Sequence, residues 1–187
     1  MKKCDFCRKR EAIIKLPFNP GFFCKDCFTT FLEKKILKNI RKGKLLKASV
    51  IKVYEEDRIE KKVLIHILKK YFSKSNKLIF VDSKSKENIS AITVEEGAIK
   101  FLESMLKDKE LFFPPERNLL DDVSIFELEE YAKIENIPFK EPDFGQIYQK
   151  LKEIYLKRPS IFFSTYQSAK KIQKRIGRQQ SNQKQDC

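Results

Sequence analysis

The chain has 187 residues, 41% of them hydrophobic, and its 40 Lys and Arg outnumber 26 Asp and Glu to give a formal charge of +14. That length accommodates one sizeable body with a small appended module. No stretch approaches the roughly eighteen apolar residues of a membrane span, and Met1 to Arg10 carries charges and cysteines where a secretory leader needs an apolar run, so the expectation is a soluble, cytoplasmic protein. The excess of cations suits a polyanionic partner, nucleic acid first, although a Lys-rich solvated surface gives the same count.

In chain order, Cys4 and Cys7 form one CxxC pair and Cys24 and Cys27 a second, sixteen residues apart. That spacing reads as a four-thiolate zinc site in a reducing compartment, with an iron-sulfur cluster as the other use of four cysteines. Zinc accepts four soft ligands tetrahedrally, and a closed site of this kind is structural by default. Between the pairs, the apolar run Ala12, Ile13, Ile14, Leu16, Pro17 and Phe18 followed by Asn19, Pro20 and Gly21 predicts a short hairpin.

After Cys27 the period becomes helical. Phe28, Phe31, Leu32, Ile36 and Ile40 make an apolar stripe ending at Gly43, with Lys34, Lys38, Arg41 and Lys42 as cations for a phosphate backbone or, equally, as a solvated flank. Leu46 to Tyr54 and Leu78 to Val81 read as strands. Between them Ile59 to Phe72 reads as a helix with Val63, Leu64, Ile67, Leu68 and Tyr71 inward, so that the three form a parallel βαβ unit. Ile89 to Ile92 is a candidate third strand. Thr93 with Glu96 has capping-box spacing ahead of a helix burying Ala98, Phe101, Leu102, Met105 and Leu106, and Ser124 with Glu127 repeats that spacing before a helix through Phe126, Leu128, Tyr131 and Ala132 that Asn136 and Pro138 end. A further helix is expected from about Phe144 to Tyr155. After Pro159 the closing helix carries Phe163, Tyr166, Ala169 and Ile172 inward and Lys170, Lys171, Lys174 and Arg175 at its basic end. The Gln-rich segment after Gly177 predicts a disordered tail ending in the lone Cys187.

His66, inside an apolar run, reads as a core or boundary histidine, since no partner motif accompanies it. Glu95 and Glu96 read as helix N-terminal charges.

Several of these stretches resemble the tRNA 2-thiolation enzymes, an adenylating PP-loop family. The two cysteine knuckles with the Ile-x-Leu-Pro-Phe run ending at Phe18 resemble that family's N-terminal zinc module. Val63 to Leu68 is similar to the helix after its phosphate loop, Val94-Glu95-Glu96-Gly97-Ala98 to its Leu-Asp-Asp-x-Ala helix start, Asn136 to Phe139 to its Gly-Ile-Pro-Tyr/Phe segment, and Pro159 to Ile172 to its closing helix. The resemblance implies an α/β fold arranged as a zinc-binding module at 1–30, a basic linking helix at 31–45, a truncated PP-loop-like domain at 46–112, a helical C-terminal part of the same body at 113–176, and a tail at 177–187.

The departures from the family bear on function. Its glycine-rich phosphate loop falls on Glu56, Asp57, Arg58, Ile59, Glu60 and Lys61, which offer no glycine for close approach of backbone N–H groups and place carboxylates against an anion. Its catalytic cysteines have no counterpart, because no cysteine lies between Cys27 and Cys187 and its Cys-Pro-Tyr position holds Glu141-Pro142-Asp143. The expectation is a non-catalytic relative that holds structural zinc, takes no ATP, and binds tRNA through the eight cations named above, an active thiolation paralogue, or both, with a homo-oligomer as another partner. The alternatives are a protein-interaction module whose acidic middle, roughly Glu116 to Asp143, docks a partner without nucleic acid, and an enzyme with divergent adenylation or sulfur-transfer chemistry.

Overall fold

The computed structural model describes residues 2–42, 50–72, 78–83, 89–107, 110–115, 118–140, 153–154, 157–158 and 160–183. It is a mixed α/β chain with elements in the order β1 (Ile14–Lys15), β2 (Phe22–Phe23), α1 (Lys25–Lys42), β3 (Ile51–Tyr54), α2 (Ile59–Phe72), β4 (Leu78–Val81), α3 (Val94–Leu106), α4 (Ile125–Ile134) and α5 (Ile161–Gln183). The chain divides into two compact units, each discontinuous in sequence. One joins Met1–Thr93 to Glu116–Asp143, and the other joins Val94–Pro115 to Phe144–Cys187. Among the described residues no helix is long and apolar enough to cross a membrane.

In the first unit, β1 and β2 form the expected hairpin, antiparallel with Ile14 opposite Phe23 and Lys15 opposite Phe22. Asn19 turns the chain by accepting the Gly21 N–H on its side chain (2.9 Å), and Lys15 donates to the Asn19 and Pro20 carbonyls (2.7 Å each). A side chain at position 21 would crowd the Phe6 ring, since a Cβ there would lie 3.0 Å from it. β3 and β4 pair in parallel from Ile51 opposite Leu78 to Tyr54 opposite Val81, with α2 as their crossover. Ile51 and Val53 alternate inward, as the period of a strand requires. Helix α2 buries Ile59, Val63, Leu64, Ile65, Ile67, Leu68 and Phe72. Burial of such a side chain contributes roughly 1.5–3 kcal/mol, and α2 is held chiefly by this face.

Helix α4 packs against both α1 and α2. The Ser124 and Glu127 capping box is formed in full, and Ile137 N–H donates to the Ala132 carbonyl (2.8 Å) while Asn136 takes the left-handed conformation (φ 54°), so the helix closes as Asn136 and Pro138 led us to expect.

In the second unit α3 packs on α5. Ala98, Ile99 and Phe101 are buried on the first helix and Phe162, Tyr166 and Ala169 on the second.

Five sequence expectations are corrected. Ile89 to Ile92 is not a strand: it makes one parallel bridge between Ser90 and Asn118, and the Asn118 side chain takes both polar groups of Ile92, accepting its N–H (2.9 Å) and donating to its carbonyl (2.6 Å). A side chain thus does what a neighbouring strand would do, and the ladder stops. Tyr71 is half-exposed because its hydroxyl is drawn to a carboxylate at the rim of the core. Met105 and Leu106, at the last turn of α3, are exposed (54% and 74%) because the buried face of that helix is confined to its first two turns and Ser104. Ile172 is partly exposed, and Phe162 rather than Phe163 is fully buried. Finally, α5 continues through Gly177 to Gln183, since an established helix extends into Gln and Arg residues at little cost. Gly43, the 46–49 end of the first strand, Glu141 to Asp143, most of the 144–155 helix and Cys187 lie outside the described residues.

Candidate metal centre and basic helix face

The four cysteines are brought together by three local devices. Cys4 and Cys7 lie on a tight knuckle closed by Arg8 N–H to the Cys4 carbonyl (2.8 Å) and Cys4 N–H to the Arg10 carbonyl (2.9 Å). Arg8 turns the chain back with φ 57°, a left-handed conformation that disfavours a side chain. Cys24 ends the hairpin and Cys27 sits in the first turn of α1. The knuckle is tied to the hairpin through Asp5, whose N–H donates to the Phe22 carbonyl (2.9 Å) and whose carboxylate accepts the Phe22 N–H (2.7 Å).

All four Sγ atoms lie within 4.8 Å of one another, Cys7 and Cys24 at 3.8 Å, with Cys4 and Cys24 buried and the other two half-buried. Burial pushes the Cys4 thiol up, but backbone donors at Cys7, Cys24 and Phe6 outweigh it and bring it down to about 6. Donors at Arg10 and Lys9 lower Cys7. Burial and then the three neighbouring sulfurs push Cys27 up to about 12. Four thiols within 4.8 Å of one another disfavour one another's ionisation, which a bound cation would offset. These residues fit a metal ion, and thiols this close fit ligation of one ion by all four.

Helix α1 leaves this centre with two chemically distinct faces. The inward face carries Leu32, Glu33, Ile36, Asn39 and Ile40, all buried. Its polar members are each satisfied by the rest of the first unit. Glu33 accepts hydrogen bonds from Lys70 (2.8 Å), Tyr71 (2.5 Å) and Tyr131 (2.7 Å). Burial pushes the Glu33 carboxyl up, but these three donors hold it below the ordinary value of 4.5. Asn39 donates to the carbonyls of Leu119 (3.3 Å) and Asp121 (2.5 Å), and at the border of this face Lys35 makes a two-oxygen contact with the fully buried Glu127 (2.8 and 2.9 Å). Sequence reading missed this polar seam. The only available signal was that Glu33 and Asn39 share a helical face with Ile36 and Ile40.

The outward face holds Lys34, Lys38, Arg41 and Lys42, all exposed, and none has an ion-pair partner among the described residues. Helical periodicity places them opposite the buried stripe. In the second unit Lys171, Lys174 and Arg175 are exposed on α5, whereas Lys170 is half-buried with its ammonium 5.6 Å from the centre of the Tyr166 ring.

The turn between β3 and α2 is packed with its own charges. Arg58 pairs with the buried Glu60 (2.9 Å), Asp57 pairs with Lys62 and lies 3.8 Å from Lys140, and Lys62 also donates to the Pro138 carbonyl (2.9 Å). The Lys62 hydrogen bond, then its charge, holds the Asp57 carboxyl below its ordinary value. Ile59, Glu60 and Lys61 are buried. His66 is a boundary residue, its Nε2 3.7 Å from Glu135 and its ring edge-on to Tyr131. Glu95 and Glu96 are buried at the start of α3, Glu96 paired with Lys100 (2.8 Å).

No protein-family model matches the chain. No curated protein matches it either. Among solved structures it is similar to the U34-tRNA thiolase NcsA from Methanococcus maripaludis, described with its [4Fe-4S] cluster: the TM-score is 0.67, 91% of this chain and 86% of that one are covered, and the sequences are 11% identical. The chain therefore has an NcsA-like α/β fold with a cysteine group at its N-terminus that fits a metal.

Proposed function

We propose that the chain is a non-catalytic, zinc-containing relative of the tRNA 2-thiolation enzymes, one that binds tRNA, an active thiolation paralogue, or both in the cytoplasm and performs no adenylation itself. The observation that carries this reading is the β3–α2 turn, the place that the resemblance assigns to a phosphate loop. It has no glycine to let backbone N–H groups approach a phosphate, and its Arg58 and Lys62 are already paired with Glu60 and Asp57. A thiolase-like fold with such a turn supports a role in holding a substrate or partner and not in activating it.

The spacing of the thiols supports zinc. Zn–S bonds near 2.3 Å set tetrahedral sulfurs about 3.8 Å apart, as Cys7 and Cys24 are. A cubane cluster uses each thiolate on a different iron and spreads the sulfurs further. The outward cations of α1 support a phosphate-binding role. A purely protein-docking role for the acidic middle has less support, because Glu127 and Glu130 are committed to lysines of the chain itself.

Titration calorimetry with ATP and magnesium, beside gel shifts with unmodified tRNA over a salt series, tests the reading. No ATP heat and a tRNA affinity that falls steeply with salt are expected. Micromolar ATP binding would restore an enzymatic role, and no tRNA retardation at low salt would remove the nucleic-acid role.

A further inference from the structure

The tip of the first knuckle exposes an aromatic ring that neither the fold nor the metal centre accounts for. Phe6, between the two ligands Cys4 and Cys7, is 55% exposed. One of its faces is stacked on the buried Phe23, centroids 4.1 Å apart and 15° between planes. Its edge is set by Gly21, which leaves room for the ring. The backbone on its N-terminal side is pinned to β2 through both polar contacts of Asp5. The ring is thus held rigidly with its other face open, at no rotamer cost on engaging a partner.

Its surroundings are cationic. Along the chain Lys2, Lys3, Arg8, Lys9 and Arg10 neighbour it against Asp5, whose carboxylate accepts a backbone hydrogen bond, and Glu11, and Lys2 is set over the Phe22 ring (3.5 Å). Arg10 pairs with Asp26, while Lys3, Arg8 and Lys9 are exposed without an ion-pair partner among the described residues. Arg8, an exposed residue, also holds its left-handed backbone conformation, where glycine would be relaxed. An apolar protein partner would be met by an apolar rim. A fixed π face on a knuckle that also exposes Lys3, Arg8 and Lys9 instead matches a flat base attached to a phosphate.

We propose that this tip is a stacking platform for an unpaired RNA nucleotide, the base on the open face of Phe6 and the adjoining phosphates on Arg8 and Lys9. The proposal rests on the RNA-binding reading above and adds to it that the site requires a single-stranded or looped nucleotide, since a paired base has no free face to offer.

The test uses the full chain with its metal and two probes of equal length, a single-stranded RNA carrying 2-aminopurine and a blunt RNA duplex. Wild type should quench the 2-aminopurine on binding. Phe6→Ala should abolish the quench and lower single-strand affinity on the order of tenfold or more while leaving duplex affinity unchanged. Phe6→Leu, which keeps the packing on Phe23, should fail likewise, Phe6→Trp should retain the quench, and Ile13→Ala should behave as wild type. Metal content verifies that each variant is folded. Equal single-strand binding by wild type and Phe6→Leu overturns the stacking platform while leaving RNA binding intact. Failure of wild type to bind either probe overturns both readings. Loss of a stoichiometric protein partner from Phe6→Leu with RNA binding unchanged assigns the ring to a protein contact instead.

Discussion

Tyr131 donates its phenolic hydrogen to the Glu33 carboxylate at 2.7 Å, joining residues 98 positions apart and tying α4 to α1. Lys70 and Tyr71 bring α2 to the same carboxylate. Three helices of the first unit therefore meet at one buried charge. Removing the carboxylate leaves the buried Tyr131 hydroxyl without its acceptor, while Lys70 and Tyr71 at the rim can turn to water, so Glu33→Ala should cost about 1–3 kcal/mol, and Tyr131→Phe, which removes one of three donors, about 1 kcal/mol. Urea unfolding followed by circular dichroism measures both. A Glu33→Ala loss below 1 kcal/mol would show that the seam is incidental to stability.

The same carboxylate gives a pH dependence. Its folded pKa lies below the ordinary 4.5, so its stabilisation is complete above that value and is lost as pH falls through the folded pKa. Glu127 acts oppositely, because burial raises its pKa in the folded chain. The stability difference between wild type and Glu33→Gln isolates the first effect, and it should shrink on acidification below about pH 5. A difference that is constant down to pH 3 contradicts the assignment.

Lys35 is the counter-charge of Glu127, and Lys35→Met leaves a buried carboxylate alone. The variant should lose about 3–5 kcal/mol at pH 8. Without Lys35 the folded pKa of Glu127 rises further, so folding takes up a proton and the loss should be smaller at pH 5 than at pH 8. Thermal melts at the two values compare them, and the reverse order would contradict the pairing.

One metal ion per chain is expected on elemental analysis. Cys24→Ser or a strong chelator should unfold the hairpin region, because thiols this close repel when ionised and the four cysteines join the knuckle, the hairpin and the start of α1. Amide exchange at Ile14 and Phe23 reports it. A chain that retains protection there without metal would show the cysteines to be dispensable for the fold.

Arg8→Gly should raise stability by about 0.5–1 kcal/mol, since glycine takes φ 57° freely, while lowering RNA affinity. Charge reversal of Lys34, Lys38 and Arg41 together should weaken every RNA probe and flatten the salt dependence.

The sequence alone determined the features that are local in the chain. Cysteine spacing located the metal group, Asn19-Pro20-Gly21 the hairpin, the 3.6-residue period α1 and α2, and Ser124 with Glu127 the cap of α4. Each depends on residues a few positions apart, whose interactions backbone geometry dictates. Tertiary structure decided what depends on distant pairs: that Glu33 and Asn39 turn inward to partners 37 to 98 residues away, that Asn118 replaces a third strand, and that Asp57 is claimed by Lys62 and Lys140. Buried polar groups must find partners wherever the fold supplies them, and no short-range pattern encodes where that is.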